Sequence, residues 1–435
     1  MAERKLFGTD GVRGPVGKLL TPDLAVRLGR AAALTADAQR PQVLIVRDTR
    51  ESGPMLEDAL AAGIASGGGD AMLAGVLPTP AASVLARRLD FDLAAVVSAS
   101  HNPFIDNGIK FFDRTGRKLA DEAEAEIEGR LEQPAGVGVG TVRVLEGAFD
   151  DYQRELRTSF DLDLSGLRVA LDCANGATHR AAPAIFETLG AEVELTGDQP
   201  DGRNINEGCG STYPERIKEL VASSGAQIGF AYDGDGDRVI AADGAARLHD
   251  GDDLIGLIAR DLAGRGELDG GVAVTVMTNY GFRSAMEEAG IELAETRVGD
   301  RYVIEALLDR GWQLGGEQSG HIVWTEFTPT GDGIAASLLT LRALRGRPLE
   351  EVKPFERLPQ RLENVEVAER EAIAGAAALW SAVEAENSKL DGRGRVLVRA
   401  SGTEPLLRVM VEAPDEGECE AVVGRLVEIA RAELA

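Results

Sequence analysis

Short apolar runs alternate with longer stretches whose apolar residues recur at helical spacing, and this alternation organises the chain as far as about residue 360. Runs at 42–46, 71–76 and 93–97 have strand length and apolar content. Before the first of them, Thr21 stands as an N-cap with Pro22 at the first helical position, and Leu24, Leu28 and Ala31 follow at helical spacing. A second helix is predicted over 54–65, another strand over 108–112, and a solvated helix from the acidic run 120–132. The stretch 133–140 is turn-rich, and 150–158 is helical in pattern. The alternation restarts with strands at 167–171, 191–195 and 227–232 around a helix at 181–189. It restarts again with strands at 272–277 and 293–296 and helices at 282–289 and 301–308.

Strands alternating with helices imply βαβ units. The last segment differs: a strand at 365–368, an alanine-rich helix at 371–386, strands at 395–399 and 407–412, and a helix at 418–434. The expected fold is α/β, with three similar α/β domains of mixed, largely parallel sheets at 1–150, 151–245 and 246–360. A small C-terminal α+β domain with an antiparallel hairpin follows at 361–435. The repetition lies in element order; no fixed-period repeat accompanies it.

Length and charge narrow the function classes. At 435 residues the chain exceeds one core, and about three to four domains are expected. A net charge of −26 argues against nucleic acid or an anionic membrane surface as the main partner. Any anion this protein handles must therefore meet a locally positive pocket. Cys173, Cys209 and Cys419 are far apart and show no metal-type spacing, which fits a reducing cytoplasm. No apolar leader pattern and no run of about 18 apolar residues is present, so the expectation is a protein neither exported nor membrane-spanning.

Four polar stretches carry the candidate chemistry. Leu93 to Val97 runs directly into Ser98-Ala99-Ser100-His101-Asn102-Pro103, delivering hydroxyls and an imidazole to a strand's C-terminal end, where ligands bind in open α/β sheets. Ser100 is the candidate reactive hydroxyl, although the same residues can simply build a hydrogen-bonded turn. Adjacent side chains on an extended chain point apart, and no G-x-S-x-G elbow occurs. A Ser100–His101 hydrolase pair is therefore not expected.

Asp233-Gly234-Asp235-Gly236-Asp237-Arg238 places three carboxylates at alternate positions, a pattern that can converge on a hard cation such as Mg²⁺. An EF-hand is excluded, because Arg238 stands at the sixth position and Gly244 at the twelfth. Arg399-Ala400-Ser401-Gly402-Thr403 combines a fixed cation, hydroxyls and a glycine, the makings of an anion nest or of an ordinary capped turn. Gly315-Gly316-Glu317-Gln318-Ser319-Gly320-His321 is a polar loop in which Glu317 and Ser319 could face one ligand. A serine beside a carboxylate trio suits phosphoryl transfer, since a metal there neutralises charge on a phosphorylated hydroxyl.

With these motifs, and with Phe7-Gly8-Thr9-Asp10-Gly11-Val12-Arg13-Gly14 near the start, the chain resembles the α-D-phosphohexomutase superfamily along essentially its whole length. The resemblance implies four domains around a central cleft. Ser100 would be the phosphoserine, and Asp233, Asp235 and Asp237 would hold one Mg²⁺ together with the seryl phosphate. Glu317 with Ser319 would meet the sugar, Arg238 would be a further substrate-binding residue, and Arg399, Ser401, Gly402, Thr403 and Arg408 would bind the non-reacting phosphate. Arg13, Lys110, His321 and His101 are the implied catalytic helpers, with the choice of general base open. The implied substrate is a hexosamine phosphate, glucosamine 6-phosphate becoming glucosamine 1-phosphate through a sugar bisphosphate intermediate or activator. The product would feed amino-sugar synthesis for UDP-N-acetylglucosamine and the cell wall. Monomer and homodimer both remain open, as do glucose or mannose phosphate specificity, a phosphatase and a non-catalytic phosphosugar-binding protein.

Overall fold

The computed structural model describes residues 6–8, 10–134, 138–400 and 406–434. It falls into two compact units. One contains the described residues through Met277 together with Ile291–Lys353; the other contains Thr278–Gly290 and the described residues from Pro354 onward. Among the described residues, no helix is long and apolar enough to cross a membrane.

The first unit holds three mixed sheets. In the first, the strand order is Val12–Pro15, Asp106–Asp113, Leu93–Val97, Gln42–Arg47, Asp70–Val76 and Val142–Val144. The second runs Leu248–His249, Val239–Asp243, Ile228–Tyr232, Arg168–Asp172 and Glu192–Thr196. The third runs Leu293–Thr296, Val272–Thr275, Leu314–Gly316, Ile322–Trp324 and Thr328–Gly331. Each sheet is parallel through one half and antiparallel through the other.

That shared topology places the polar loops. The Ser100 loop joins Leu93–Val97 to its antiparallel neighbour Asp106–Asp113, and the three-aspartate loop joins Ile228–Tyr232 to Val239–Asp243. The Glu317 loop joins Leu314–Gly316 to Ile322–Trp324 in the same way. All three loops thus lie where the chain leaves a parallel strand and turns back. The strands that deliver them, Leu93–Val97, Ile228–Tyr232 and Leu314–Gly316, are buried at every position, which is why the first two read as continuous apolar runs.

Several elements depart from the sequence expectation. The polar stretch around Arg13 is partly a strand: Val12–Pro15 pairs antiparallel with Asp106–Asp113, setting Arg13 opposite Gly108. The acidic helix, Asp121–Gly129, is not wholly solvated, because Glu124 is buried and lies 3.4 Å from the Arg301 guanidinium. Counter-charge supplied from a distant segment cannot be read from a local acidic run.

In the second unit, the strand order Gln360–Glu366, Leu406–Glu412, Arg395–Ala400 makes a three-stranded antiparallel sheet. Its first strand begins earlier than expected, because its edge position leaves most of it exposed and removes the apolar signal. The alanine-rich helix is divided into a 3₁₀ segment, Arg370–Gly375, and the helix Ala377–Leu390; Gly375, a poor helix former, stands at the break. Glu412 is fully buried and accepts hydrogen bonds from Arg395 Nε at 2.6 Å, Asn279 Nδ2 at 3.0 Å and the Tyr280 amide.

One buried cap ties helices of the first unit together. Asp332 caps Gly333–Leu344 by accepting from the Ala335 amide, and it also accepts from the Tyr152 hydroxyl at 2.7 Å. Burial pushes its carboxyl up to about 6 from 3.8. A folded carboxyl that keeps its proton to higher pH than the unfolded one is destabilising once ionised, so its contribution falls as pH rises from about 4 to 6. Asp332→Asn keeps a good cap and removes the ionisation. Relative to the parent, the variant should gain up to about 3 kcal/mol between pH 4 and 6.5, measured by urea melts across that range. Parallel stability curves for the two proteins would show that ionising Asp332 carries no penalty.

Candidate active site

The reactive-serine candidate is buried. Ser100 is 2% exposed, and its hydroxyl donates to Asp233 Oδ2 at 2.5 Å. Its backbone is left-handed, with φ of 50°. That turn overturns the extended-chain argument, because Ser100 Oγ lies only 3.4 Å from His101 Nδ1. His101 itself is exposed at the edge of a cleft.

The aspartate loop closes against this serine. A Cβ on Gly234 would sit 2.6 Å from the Ser100 carbonyl oxygen, and Gly236 has a φ of 74°, so both glycines answer to close approach or backbone conformation. The carboxylates of Asp233, Asp235 and Asp237 offer oxygens that all lie within 4.8 Å of one another, and all three residues are buried. Asp235 Oδ2 is taken by Lys110 Nζ at 2.8 Å and Thr79 Oγ1 at 2.6 Å. Its Oδ1, like Asp237 Oδ1, is buried with no hydrogen-bond partner among the described residues. Burial and the neighbouring Asp237 and Asp235 push the Asp233 carboxyl well above its ordinary range. Three hard oxygen donors with two buried orphaned atoms fit a divalent cation such as Mg²⁺.

Positive groups surround the trio. Lys110 is held by Asp235 and lies 3.9 Å from both Asp10 and Asp237. Burial favours loss of its proton, but Asp10, Asp235 and Asp237 together hold its pKa above the usual lysine value. Lys118 pairs with Asp10 at 2.5 Å and also with Asp300, and Arg13 pairs with Asp10. His321 Nδ1 lies 3.7 Å from Asp237. The Gly331 amide donates to His321 Nε2 at 3.0 Å, which assigns the ring proton to Nδ1 on the Asp237 side.

Arg13 and His321 border a cleft of about 740 Å³ that is lined also by His101, Asp237, Arg238, Glu317 and Ser319. Glu317 Oε1 accepts from the Gly299 amide at 3.0 Å. The structure thus brings Ser100, Lys110, Arg13, His101, His321, Arg238, Glu317, Ser319 and the three aspartates into one neighbourhood within the first unit. Arg399 and Arg408 belong to the second unit, where they stand opposite each other on paired antiparallel strands. Burial and then Arg408 push the Arg399 pKa down, a strain that a bound anion would relieve. Ser401, Gly402 and Thr403 lie outside the described residues.

Sequence reasoning missed Thr79, Lys118, Asp300 and the role of Asp10. Asp10 stands inside a motif already singled out, and so carried a signal. Thr79, Lys118 and Asp300 carried none, since only folding sets Thr79 on Asp235 and places Lys118 between Asp10 and Asp300.

Thr79→Val removes one of the two donors that orient Asp235 while keeping side-chain shape. Loss of such an outer contact should weaken Mg²⁺ binding by about ten- to a hundredfold in a calorimetric titration. Unchanged affinity would reduce Thr79 to a packing residue.

Comparison with known proteins assigns each segment. Models of the phosphoglucomutase/phosphomannomutase family match consecutively: alpha/beta/alpha domain I at residues 4–135, domain II at 150–246, domain III at 250–361 and the C-terminal domain at 362–429. The chain is 49% identical to the phosphoglucosamine mutase of Pelotomaculum thermopropionicum, with 98% of each chain covered. It is 44% identical to that of Bacillus subtilis, with 99% of each covered. Among solved structures, a phosphoglucomutase/phosphomannomutase family protein from Burkholderia thailandensis shares the fold at a TM-score of 0.84 and 24% identity, covering 100% of this chain and 98% of that one. The Aspergillus fumigatus N-acetylphosphoglucosamine mutase, solved with GlcNAc-6P and magnesium, matches at a TM-score of 0.73 and 19% identity, covering 100% and 96%.

Proposed function

The chain belongs to the phosphoglucomutase/phosphomannomutase family, and from that premise we propose that it is an isomerase interconverting glucosamine 6-phosphate and glucosamine 1-phosphate. The observation that carries this reading is the Ser100 hydroxyl, 2.5 Å from one member of a buried three-carboxylate cluster, beside a cleft that Glu317 and Ser319 help to line. The reading includes four domains with boundaries near residues 150, 245 and 360. It also includes a cytoplasmic role supplying amino sugars for UDP-N-acetylglucosamine and the cell wall.

In the first half-reaction, phosphorylated Ser100 gives its phosphoryl group to a substrate hydroxyl. The Ser100 oxygen–phosphorus bond breaks, the sugar oxygen–phosphorus bond forms, and the hydroxyl proton passes to a base. The sugar bisphosphate then turns over in the cleft, and its other phosphoryl group returns to Ser100. Asp233, Asp235 and Asp237 would hold Mg²⁺, which when bound neutralises charge on the transferring group. Lys110, kept protonated by its three carboxylate neighbours, stabilises phosphoryl charge and is poorly suited to accept a proton. Arg13 and Arg238 add fixed positive charge at the cleft, and His321 and His101 line it beside them as catalytic helpers. Glu317 and Ser319 read the sugar, while Arg399, Ser401, Gly402, Thr403 and Arg408 clamp the phosphate that is not reacting.

Ser100→Ala should abolish turnover even with sugar bisphosphate supplied, while the lost hydrogen bond to the Asp233 carboxylate costs about 1.5 to 3 kcal/mol of stability. An intact mass that shows no phosphate on the parent after bisphosphate treatment, or full activity in the variant, would remove Ser100 from the mechanism.

Sugar choice rests on Glu317. A 2-ammonium group gains a charge-assisted hydrogen bond from a carboxylate, and a neutral hydroxyl gains less. At about 1.5 to 3 kcal/mol for such a bond, kcat/KM should favour glucosamine phosphate over glucose phosphate by roughly ten- to a hundredfold. Glu317→Gln should shrink that preference. Equal kcat/KM for both sugars in the parent would replace this reading with a general phosphohexomutase.

A further inference from the structure

The Ser100 loop is held from beneath by a group that never reaches the cleft. Arg50 is fully buried, and each face of its guanidinium fork is used. Nε donates to Asp48 Oδ2 at 2.8 Å. Nη1 donates to the carbonyls of Pro103 at 2.5 Å and Asp106 at 3.0 Å. Nη2 donates to the carbonyls of Ser100 and Asn102, both at 2.8 Å. Four carbonyls of one loop thus converge on one planar cation, a geometry that a lysine ammonium cannot reproduce.

The same pair also fixes the other side of Ser100. Asp48 Oδ2 accepts the Ser98 hydroxyl at 2.6 Å, and Ser98 Oγ in turn accepts the Ser100 amide at 3.0 Å. Asn206, from the second sheet's segment, donates through Nδ2 to the Ser100 carbonyl at 3.0 Å and the Asn102 carbonyl at 3.3 Å. Ser100 needs this restraint, because a non-glycine residue in the left-handed region is disfavoured by about 1 to 2 kcal/mol. With amide and carbonyl both fixed from beneath, the hydroxyl is directed to Asp233, to which it donates. Neither Asp48 nor Arg50 borders the cleft.

We propose that Arg50, charge-paired with Asp48, is the positioning residue that holds Ser100 in line for phosphoryl transfer. This rests on the mutase reading above, since a loop with no transfer to perform would have no need of so exact an aim. Phosphoryl transfer depends mainly on positioning and charge stabilisation, and a displacement of about 1 Å can cost about a hundredfold in rate. Substrate affinity resides elsewhere, so the defect should fall on kcat.

Arg50→Lys keeps the charge opposite Asp48 and removes the fork. Its kcat should drop by about thirty- to a hundredfold with KM within about threefold of the parent. Hydrogen–deuterium exchange should become faster in residues 98–107 and stay unchanged in the Ile228–Tyr232 strand. Asn206→Gly tolerates the left-handed backbone there, φ 59°, and should show the same split at about three- to tenfold. If Arg50→Lys does not fold, Asn206→Gly decides alone. Unchanged kcat, or a kcat loss matched by an equal change in the folded fraction without faster exchange in 98–107, would overturn the proposal. A parent inactive on every hexose phosphate would instead sink the mutase reading, and the exchange comparison would still decide whether Arg50 holds the loop.

Discussion

The repulsion among Asp233, Asp235 and Asp237 is the constraint around which the first unit is built. Oxygens from all three lie within 4.8 Å, and at that range each like-charged pair opposes folding by about 3 to 4 kcal/mol at an effective dielectric of about 20. Burial deepens the penalty. The structure answers with Lys110 and Thr79 on Asp235, the Ser100 hydroxyl on Asp233, and Lys118, Arg13 and Arg238 close by. Asp235 illustrates the balance: burial would raise its pKa, yet Lys110 and Arg13 hold it well below the usual carboxylate range. Asp235 Oδ1 and Asp237 Oδ1 stay without a hydrogen-bond partner among the described residues, and a divalent cation would take up the negative charge left there.

Such a cluster needs contributions from several chain segments, and the repeated sheet topology supplies them. In each of the three sheets a fully buried parallel strand ends, and the chain reverses into an antiparallel partner. The reversal is a short polar loop anchored at both ends by ladder hydrogen bonds, so its side chains are aimed by the sheets themselves. One topology used three times thus yields a serine loop, a carboxylate loop and a Glu317 loop with distinct chemistry.

Rigidity at these loops is maintained by buried polar pairs that would be costly in isolation. Asp48 and Arg50 have no exposure and are fully hydrogen-bonded, which is the condition under which a buried ion pair is tolerated. Gly234 lets the aspartate loop press onto the Ser100 carbonyl, and Gly236 lets it press onto Pro78, next to the Thr79 that donates to Asp235. Stability and site geometry are therefore served by the same contacts.

The sequence by itself determined the elements that local pattern encodes. Leu93–Val97 appears with the expected ends, because a buried strand must be apolar and a polar or proline-containing stretch must end it; Leu293–Thr296, an edge strand with one buried residue, also appears with the expected ends. The Asp-x-Asp-x-Asp spacing announced a converging carboxylate cluster able to hold a cation, and Ser100 stood out because hydroxyls follow directly on a buried strand. Tertiary structure alone decided the rest. Thr79 reaches Asp235 and Lys118 reaches Asp10 across long sequence separations, Glu124 is buried through Arg301, and Ser100 turns its hydroxyl inward through a left-handed backbone. Arg50 looks like any loop arginine until four carbonyls gather around it. The physical reason is that hydrophobic periodicity is a local property of the chain, whereas charge compensation and hydrogen-bond satisfaction of buried groups are properties of whichever segments the fold brings together.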